Sequence, residues 1–257
     1  MRADHRALLR ELANAYHDPA RVVLEGFHPA RHAVRFGATL RTAVTYDAGK
    51  LLAMAERLAP DVVPAVAAGL VEVDRSLFDK LCPRSLTSPL LSVTDRPPDR
   101  TADAVADRRR PVVCLESPRN PGNVGAVIRV AAAADVGAVL VTGQVDPWSP
   151  VVIRAAAGLQ FAVPVGTATL PLPGHRPVVV LDADGDPLRS ADLDPAAVLV
   201  IGGERYGLSP AVRRMAQRSV AIPMRPGVSS LNLATAVSAV LFAWRTAAEE
   251  RTGAPPW

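Results

Sequence analysis

Short apolar runs recur through the second half of the chain, and this repetition limits the possible folds more than any other feature of the sequence. The runs are Pro111–Leu115, Ala138–Val141, Pro177–Leu181, Ala197–Ile201 and Val220–Ile222. Helical segments separate them, and loops containing Gly, Asp, Asn or Pro follow them. Continuous runs rich in valine and isoleucine are typical of parallel strands that helices cover on both faces. We therefore predict an α/β domain with a parallel sheet.

Apolar residues with a helical spacing follow the last of these runs. They are Leu231, Ala234, Val237, Val240, Leu241 and Trp244. This spacing predicts a long helix with one buried face. We expect Ser229 or Ser230 to be its N-cap, because a hydroxyl can accept a hydrogen bond from a free amide at the start of a helix.

A polar segment divides the chain. Residues Arg96–Pro111 read RPPDRTADAVADRRRP, so that Pro, Asp and Arg replace any apolar periodicity. We place a domain boundary there and predict an N-terminal domain at residues 1–107 and a C-terminal domain at residues 108–257. In the first domain, strand-like patterns such as Val22–Gly26 and Leu70–Val73 alternate with helix-like ones. They indicate a small α/β unit.

The composition is that of a globular protein. Of 257 residues, 49% are hydrophobic and 21% are charged. The most apolar stretches, Val130–Val141 and Leu231–Trp244, are shorter than the ~20 apolar residues that a membrane span requires. The charged N-terminal segment lacks the apolar core of a signal peptide, and Cys82 and Cys114 form no CxxC pair. We expect a cytoplasmic protein that does not enter a membrane.

The basic residues are almost all arginine. Only Lys50 and Lys80 are lysines among the 29 basic residues, and the net charge is +4. The planar guanidinium group binds phosphate with paired hydrogen bonds, so this bias favours an anionic partner such as a nucleic acid. Genomic base composition alone could also produce it.

Several common site motifs are absent. The sequence contains no GxGxxG, no GxxxxGK[ST] and no GxSxG, and so gives no support to a dinucleotide fold, a P-loop or a nucleophile elbow. His28 and His32 have the HxxxH spacing, but Pro29 lies between them and no third ligand is evident. We expect no metal site.

Three loops combine glycines with polar side chains, and each follows an apolar run, where open α/β sheets place their ligands. The first contains NPGNVGAVIR, in which Asn123 offers an amide and Arg129 a cation. Taken alone, this loop could instead have Asn123 as a helix cap and Arg129 as a solvated surface residue.

The second loop, IGGERYGLS, has one carboxylate, Glu204, among glycines that expose the backbone. An alternative is a tight turn that places Glu204 near the N-terminus of a helix. The third loop, IPMRPGVSSLNL, is stiffened by two prolines directly before the last helix. A rigid loop at that place favours a binding role.

Together and in this order, the three loops resemble the motifs of the SpoU (TrmH-type) family of SPOUT methyltransferases. The third motif here reads IPMRPGVSSLNLATA, and the resemblance extends from Pro111 to about Ala248. A fourth similar stretch covers Asp146–Gly158. Members of this family transfer a methyl group from S-adenosylmethionine (AdoMet) to a ribose 2′-hydroxyl of RNA.

The resemblance implies a C-terminal domain with a trefoil knot and a homodimer formed through that domain, in which the partner helps to build the site. It implies that AdoMet binds among three loops, without a metal. The expected cofactor-binding residues are Leu181, Ala183, Gly202, Gly203, Ile222, Met224 and Leu231. The expected catalytic residues are Asn123, Arg129, Glu204, Ser230 and Asn232.

The family's catalytic arginine falls on Arg129. Proposals for the family make this arginine a base, but a guanidinium group is hardly ever neutral in a protein. We therefore expect Arg129 to orient a phosphate or to stabilise the developing alkoxide.

The N-terminal residues look like the small ribosomal-protein-like domain that binds RNA in many family members; an unrelated α/β domain is the alternative. Four positions of the catalytic domain depart from the usual family residues: Asp135 (Gly), Ala156 (Ser), Gly203 (Asn) and Ser229 (Glu). The interpretation is an RNA 2′-O-methyltransferase, with ribosomal RNA favoured over transfer RNA. The alternatives are a non-catalytic RNA-binding protein on the same scaffold and an unrelated α/β enzyme that uses another adenine-containing cofactor.

Overall fold

The computed structural model describes residues 3–82, 84–189 and 193–252. The chain forms two compact units. The first consists of Met1–Pro98 and Ala157–Ala162, and the second of Asp99–Ala156 and Val163–Trp257. The assignment of residues 1–107 to substrate binding stays a prediction.

The structure contains ten α-helices and ten strands within the described residues. The helices are α1 (Ala3–Ala15), α2 (Phe27–Arg35), α3 (Ala48–Leu58), α4 (Val63–Ala67), α5 (Arg75–Leu81), α6 (Thr101–Ala106), α7 (Pro121–Ala133), α8 (Pro150–Ala155), α9 (Pro210–Met215) and α10 (Leu233–Thr252). The strands are β1 (Arg21–Glu25), β2 (Leu40–Thr45), β3 (Leu70–Glu72), β4 (Leu91–Asp95), β5 (Val112–Glu116), β6 (Ala138–Val141), β7 (Val165–Thr167), β8 (Val178–Pro187), β9 (Val198–Gly202) and β10 (Arg218–Ala221). Short 3₁₀ turns occur at Pro60–Val62 and Leu159–Phe161.

The first unit is an α/β domain, as its alternating patterns predict. Its sheet has the order β1-β4-β2-β3, in which β4 runs antiparallel to both neighbours and β3 runs parallel to β2. Leu12, Val23, Val44 and Phe78 lie in its core, so the apolar faces of helices and strands meet there. β4 is not among the predicted strands, although the alternation in LSVTD is typical of a strand.

The second unit contains the predicted parallel sheet. Its six strands have the order β10-β8-β9-β5-β6-β7, and all pairs are parallel. The five apolar runs form β5, β6, β8, β9 and β10; β7 is an additional strand at the edge. The order reverses direction at β5, and ligand sites of open α/β sheets lie at the carboxyl ends of strands beside such a reversal. The threading of the chain through a knot stays a prediction.

The register of β8 brings a loop to this end of the sheet. Val180 pairs with Ser219 of β10, but the next pair joins Asp186 to Val220. The residues between Val180 and Asp186 therefore have no partner in β10. The loop so formed contains the first two expected cofactor residues, Leu181 and Ala183.

Close packing fixes α7 against α8. A Cβ atom on Gly125 would lie 2.5 Å from Cβ of Ala155 and 2.6 Å from the carbonyl oxygen of Val152. Only glycine allows this approach. Ala156, one of the four departures, is fully buried beside this contact.

The structure corrects the predicted N-cap of the last helix. α10 begins at Leu233, and Oδ1 of Asn232 accepts hydrogen bonds from the amides of Ala234 (2.9 Å) and Thr235 (3.4 Å). The cap is therefore Asn232 rather than Ser229 or Ser230. An asparagine and a serine are almost equally good caps, so sequence alone could not choose between neighbouring candidates.

Asp135 ends α7 in a left-handed conformation, with φ of 57°. The amide of Val136 donates to the carbonyl of Ala131 (3.2 Å), and the amide of Asp135 donates to that of Ala132 (3.2 Å). These two bonds form a Schellman motif, in which glycine is the usual left-handed residue. Asp135 thus occupies a glycine position, and its carboxylate pairs with Arg110 at 2.9 Å.

Candidate active site

A cavity of about 450 Å³ opens at the carboxyl ends of β8 and β9, beside the loop that joins β10 to α10. All seven expected cofactor-binding residues line it: Leu181, Ala183, Gly202, Gly203, Ile222, Met224 and Leu231. Four of the five expected catalytic residues also line it: Asn123, Glu204, Ser230 and Asn232. The structure thus brings together side chains and backbone from all three motif loops.

Glycines shape the β9 side of the cavity. A Cβ atom on Gly202 would lie 2.1 Å from the carbonyl carbon of Gly207 and 2.4 Å from its oxygen. The amide of Gly207 in turn donates to the carbonyl of Gly203 at 3.0 Å, which closes the loop. Residue 202 must therefore be glycine, and the cavity wall here is backbone.

The same packing explains the departure at Gly203. A Cβ atom at this position would lie 2.6 Å from the carbonyl oxygen of Ser117 and 3.1 Å from that of Glu116. Those oxygens belong to the backbone that leads from β5 into the first motif loop. In this chain, glycine at position 203 lets the first and second motif loops approach each other.

A chain of hydrogen bonds joins the three motifs. Nδ2 of Asn232 donates to Oδ1 of Asn123 (3.0 Å), and Nδ2 of Asn123 donates to Oε1 of Glu204 (2.8 Å). The amide of Arg119 donates to the other oxygen of Glu204 (3.1 Å). Ionised Glu204 can only accept hydrogen bonds, so the group of Asn123 that faces it must be the NH₂ group. Oδ1 of Asn232 caps α10, so Nδ2 of Asn232 must be the group that faces Asn123.

The environment of Glu204 keeps its carboxyl ionised. Partial burial alone would raise its pKa, but the hydrogen bonds from the Asn123 side chain and from backbone amides outweigh that effect and lower the pKa below its ordinary value. The backbone donors belong to Glu204 itself, Arg119 and Asn120. Glu204 is therefore an anion at neutral pH.

These contacts decide the alternative interpretations of the first and second motifs. Asn120 caps α7, because its side chain accepts from the amide of Gly122 at 2.8 Å. Asn123 lies inside α7 and is not the cap that the alternative interpretation supposed. Glu204 lies near the N-terminus of α7, a helix from a different motif, where a negative charge is favourable.

Arg129 is the one expected catalytic residue that the structure does not bring to the cavity. It lies on α7, six residues after Asn123, and its side chain is exposed. A helix turns by about 100° per residue, so the two side chains leave α7 in different directions. Within this chain, Arg129 is not among the residues that line the cavity.

Sequence reasoning missed Asp182, which lines the cavity and forms an ion pair with Arg213 of α9. The Asp182 side chain is only 7% exposed. Its position directly after the apolar run that ends at Leu181 is the signal that could have found it. The pair ties the β8 loop to α9 and so holds Leu181 and Ala183 at the cavity.

The lining of the cavity fits an adenosine-containing cofactor. Its apolar lining includes Leu181, Ile201, Ile222, Met224 and Leu231, while the backbone at Gly202 and Gly203 supplies hydrogen-bonding groups. Among the described residues, no group of three or more His, Cys, Asp or Glu side chains is arranged to hold a metal ion.

In the same part of the chain, no helix is long and apolar enough to cross a membrane.

A sequence profile of the SpoU rRNA methylase family matches residues 110–242. The chain belongs to this family. A curated relative, the 23S rRNA (uridine(2479)-2′-O)-methyltransferase of Streptomyces viridochromogenes, is 29% identical over 250 residues, which cover 90% of this chain and 85% of that protein. The chain spans about half the length of two other curated relatives that it matches.

Two solved structures share this fold over almost the whole chain. The SpoU methyltransferase AviRb of Streptomyces viridochromogenes, in complex with AdoMet, is 26% identical, with a TM-score of 0.73 and coverage of 96% of this chain and 98% of that one. The AdoMet-bound rRNA methyltransferase of Sinorhizobium meliloti is 25% identical, with a TM-score of 0.70 and coverage of 95% and 93%.

Proposed function

We propose that this protein transfers a methyl group from AdoMet to a ribose 2′-hydroxyl of ribosomal RNA. Its membership of the SpoU family and its likeness to AdoMet-bound methyltransferases support the activity and the cofactor. The rRNA 2′-O-methyltransferase among its relatives supports ribosomal RNA as the substrate. The observation that carries the proposal is the hydrogen-bonded chain from Asn232 through Asn123 to Glu204 at the glycine-walled cavity.

The cavity residues hold the cofactor in this proposal. When bound, AdoMet supplies an electrophilic methyl group on a sulfonium. Backbone groups at Gly202 and Gly203 recognise the polar edge of adenine without a charged side chain, and Ile222 and Leu231 pack against the apolar parts of the cofactor. The glycines allow the close approach that such backbone recognition requires.

The polar chain positions the third motif over the cavity. Asn232 is held at two points, by the α10 amides through its oxygen and by Asn123 through its nitrogen. Glu204, as an anion, fixes Asn123 and adds negative charge beside the reaction centre. The three residues therefore act as a preorganised wall, and Glu204 remains charged throughout.

Arg129 acts in this proposal on the RNA rather than on the cofactor. A guanidinium group is hardly ever neutral in a protein, so Arg129 orients a phosphate or stabilises the negative charge that develops on the 2′-oxygen while the hydroxyl proton passes to solvent. Because Arg129 is exposed and outside the cavity of its own chain, the proposal includes a homodimer in which Arg129 of one subunit completes the site of the other. Residues 1–107 hold the RNA.

Methyl transfer to separate RNA pools tests this function. Unmodified 16S and 23S ribosomal RNA and unmodified transfer RNA are incubated with AdoMet that carries a labelled methyl group. We expect label in ribosomal RNA and none with Arg129→Ala. Label in transfer RNA alone would contradict the substrate, and failure of the wild-type protein to bind AdoMet by calorimetry would contradict the enzymatic activity.

The homodimer needs its own experiment. Arg129→Ala and Asn232→Ala are each expected to be inactive alone. If Arg129 serves the partner's site, each heterodimer formed by mixing the two variants has one site with both residues intact. Random mixing makes about half of the dimers heterodimers, so about a quarter of the wild-type activity per dimer is expected to return. If heterodimers form but no methyltransferase activity returns, the shared site is contradicted.

A further inference from the structure

A second cleft lies on the other side of the second motif loop. It has a volume of about 340 Å³, and Gly203 and Gly207 line both this cleft and the cofactor cavity. Its other side chains come from the loop after β5 and from residues 205–210. A ligand in this cleft would therefore lie directly beside the site of methyl transfer.

An exposed aromatic ring lies close to two cations in this cleft. Tyr206 is 73% exposed, more than any other large hydrophobic or aromatic residue described. The guanidinium carbons of Arg119 and Arg205 lie 5.4 Å and 5.3 Å from the centre of its ring. Both distances are within the range of a cation–π interaction.

The two cations lack a carboxylate partner. Neither Arg119 nor Arg205 forms an ion pair within the described residues. The nearby carboxylates have other partners: Glu116 accepts from the amide of Ser209 (2.8 Å), and Glu204 accepts from Asn123 and from the amide of Arg119. The cleft thus presents an exposed aromatic ring and two guanidinium groups, and Glu116 is the one acidic residue among those that line it.

We infer that this cleft binds the nucleotide adjacent to the methylated ribose, with its base stacked on Tyr206 and its phosphate held by Arg119 and Arg205. Unpaired RNA bases stack on exposed aromatic rings and on guanidinium planes, and arginine binds phosphate with paired hydrogen bonds. The inference rests on the proposed function, because it requires RNA at the neighbouring cavity. It assigns to Tyr206 a role in positioning the substrate.

Binding of an unmodified 23S rRNA transcript tests the inference. Tyr206→Ala is expected to raise the RNA Kd about tenfold, because it removes the ring on which the base stacks. Tyr206→Phe keeps the ring and is expected to remain within about twofold of wild type. Arg119→Gln combined with Arg205→Gln is expected to reduce the slope of log Kd against log salt, by about 0.7–0.9 for each lost phosphate contact. Arg214→Gln is the matched control, because it removes an exposed charge of α9 outside the cleft.

Two readouts separate this inference from the proposed function. Calorimetry of AdoMet binding is expected to give wild-type affinity for Tyr206→Ala, because Tyr206 does not line the cofactor cavity. If wild type methylates RNA but Tyr206→Ala and the double arginine variant bind the transcript as wild type does, the cleft is not an RNA site. If wild type binds RNA through Tyr206 but transfers no methyl group, the cleft is an RNA-binding site and the proposed activity is wrong.

Discussion

Nδ2 of Asn232 donates a hydrogen bond to Oδ1 of Asn123 over 3.0 Å, although 109 residues separate the two in sequence. The bond joins the third motif to the first, and Asn123 continues it to Glu204 of the second. All three motifs therefore depend on one amide group. Changes at Asn123 are expected to affect the whole site.

Asn123→Asp replaces the donor to Glu204 with a second carboxylate. Two carboxylates at hydrogen-bond distance repel each other, and this repulsion raises the pKa of one of them. We therefore expect repulsion between the new carboxylate and Glu204 at high pH, and a proton shared between them at lower pH. We predict that Asn123→Asp is less active than Asn123→Ala at pH 8 and recovers part of its activity toward pH 6. Asn120→Asp is the control, because an aspartate remains a good cap for α7. Equal activity of Asn123→Asp and wild type at pH 8 would contradict the hydrogen-bonded chain.

The lowered pKa of Glu204 has a consequence for stability. A carboxyl group whose pKa is lower in the folded state stabilises the fold above its unfolded pKa, and this contribution disappears as the pH falls through the folded pKa. Wild type is therefore expected to exceed Glu204→Gln in Tm at pH 7, with the difference shrinking toward pH 3.5. Thermal unfolding of both proteins across this range measures the effect. A constant difference across the range would show that the charge of Glu204 is not the cause.

Gly202→Ala tests the backbone wall of the cofactor cavity. The new Cβ would meet the backbone of Gly207 at 2.1 Å, so the loop must move and the cavity must change shape. We expect AdoMet affinity to fall more than tenfold by calorimetry. Gly69→Ala is the control, because nothing lies within 4 Å of its Cβ position and Gly69 does not line the cavity, so the AdoMet affinity of this variant is expected to equal that of wild type. Retained affinity in Gly202→Ala would contradict the assignment of this cavity.

Arg176 is a buried residue, only 5% exposed, and its guanidinium group holds together the start of the parallel sheet. Its nitrogens donate to the carbonyl oxygens of Ala104, Val105, Asp107, Arg110, Ala196 and Ala197. Arg176→Met leaves several buried acceptors without a donor, so a loss of about 3 kcal/mol or more in the free energy of unfolding is expected. Urea denaturation measures it. The substitution Arg109→Met removes an exposed ion pair and is expected to cost much less, and a similar loss in both variants would contradict the role of Arg176.

Asp135→Gly is expected to stabilise the protein. Glycine removes the strain of a left-handed non-glycine residue, about 1 kcal/mol, and the exposed ion pair with Arg110 that it loses contributes less. We predict a gain of about 0.5 kcal/mol by urea denaturation. Arg110→Ala removes the ion pair alone and is expected to lower stability slightly. A loss on Asp135→Gly larger than that on Arg110→Ala would contradict this balance.

The sequence predicts which residues line the cavity, because the cavity is made of loops that follow apolar strands. Gly202, Ile222 and Leu231 could each be found from a strand end and a motif. The contact of Asn123 with Asn232 could not be found, because it depends on the order of strands in the sheet. The six acceptors of Arg176 are backbone carbonyls from separate segments. Every residue has a backbone carbonyl, so the sequence does not show which of them Arg176 contacts.

The chemistry of the labelled product distinguishes ribose methylation from base methylation. A methyl group on the ribose 2′-oxygen prevents that oxygen from attacking the neighbouring phosphate, so the linkage survives alkaline hydrolysis, whereas methylation of a base does not protect it. We predict that ribosomal RNA labelled by the wild-type protein gives the label in alkali-resistant dinucleotides, and that Arg129→Ala gives none. Label recovered only in mononucleotides would contradict ribose methylation by this protein.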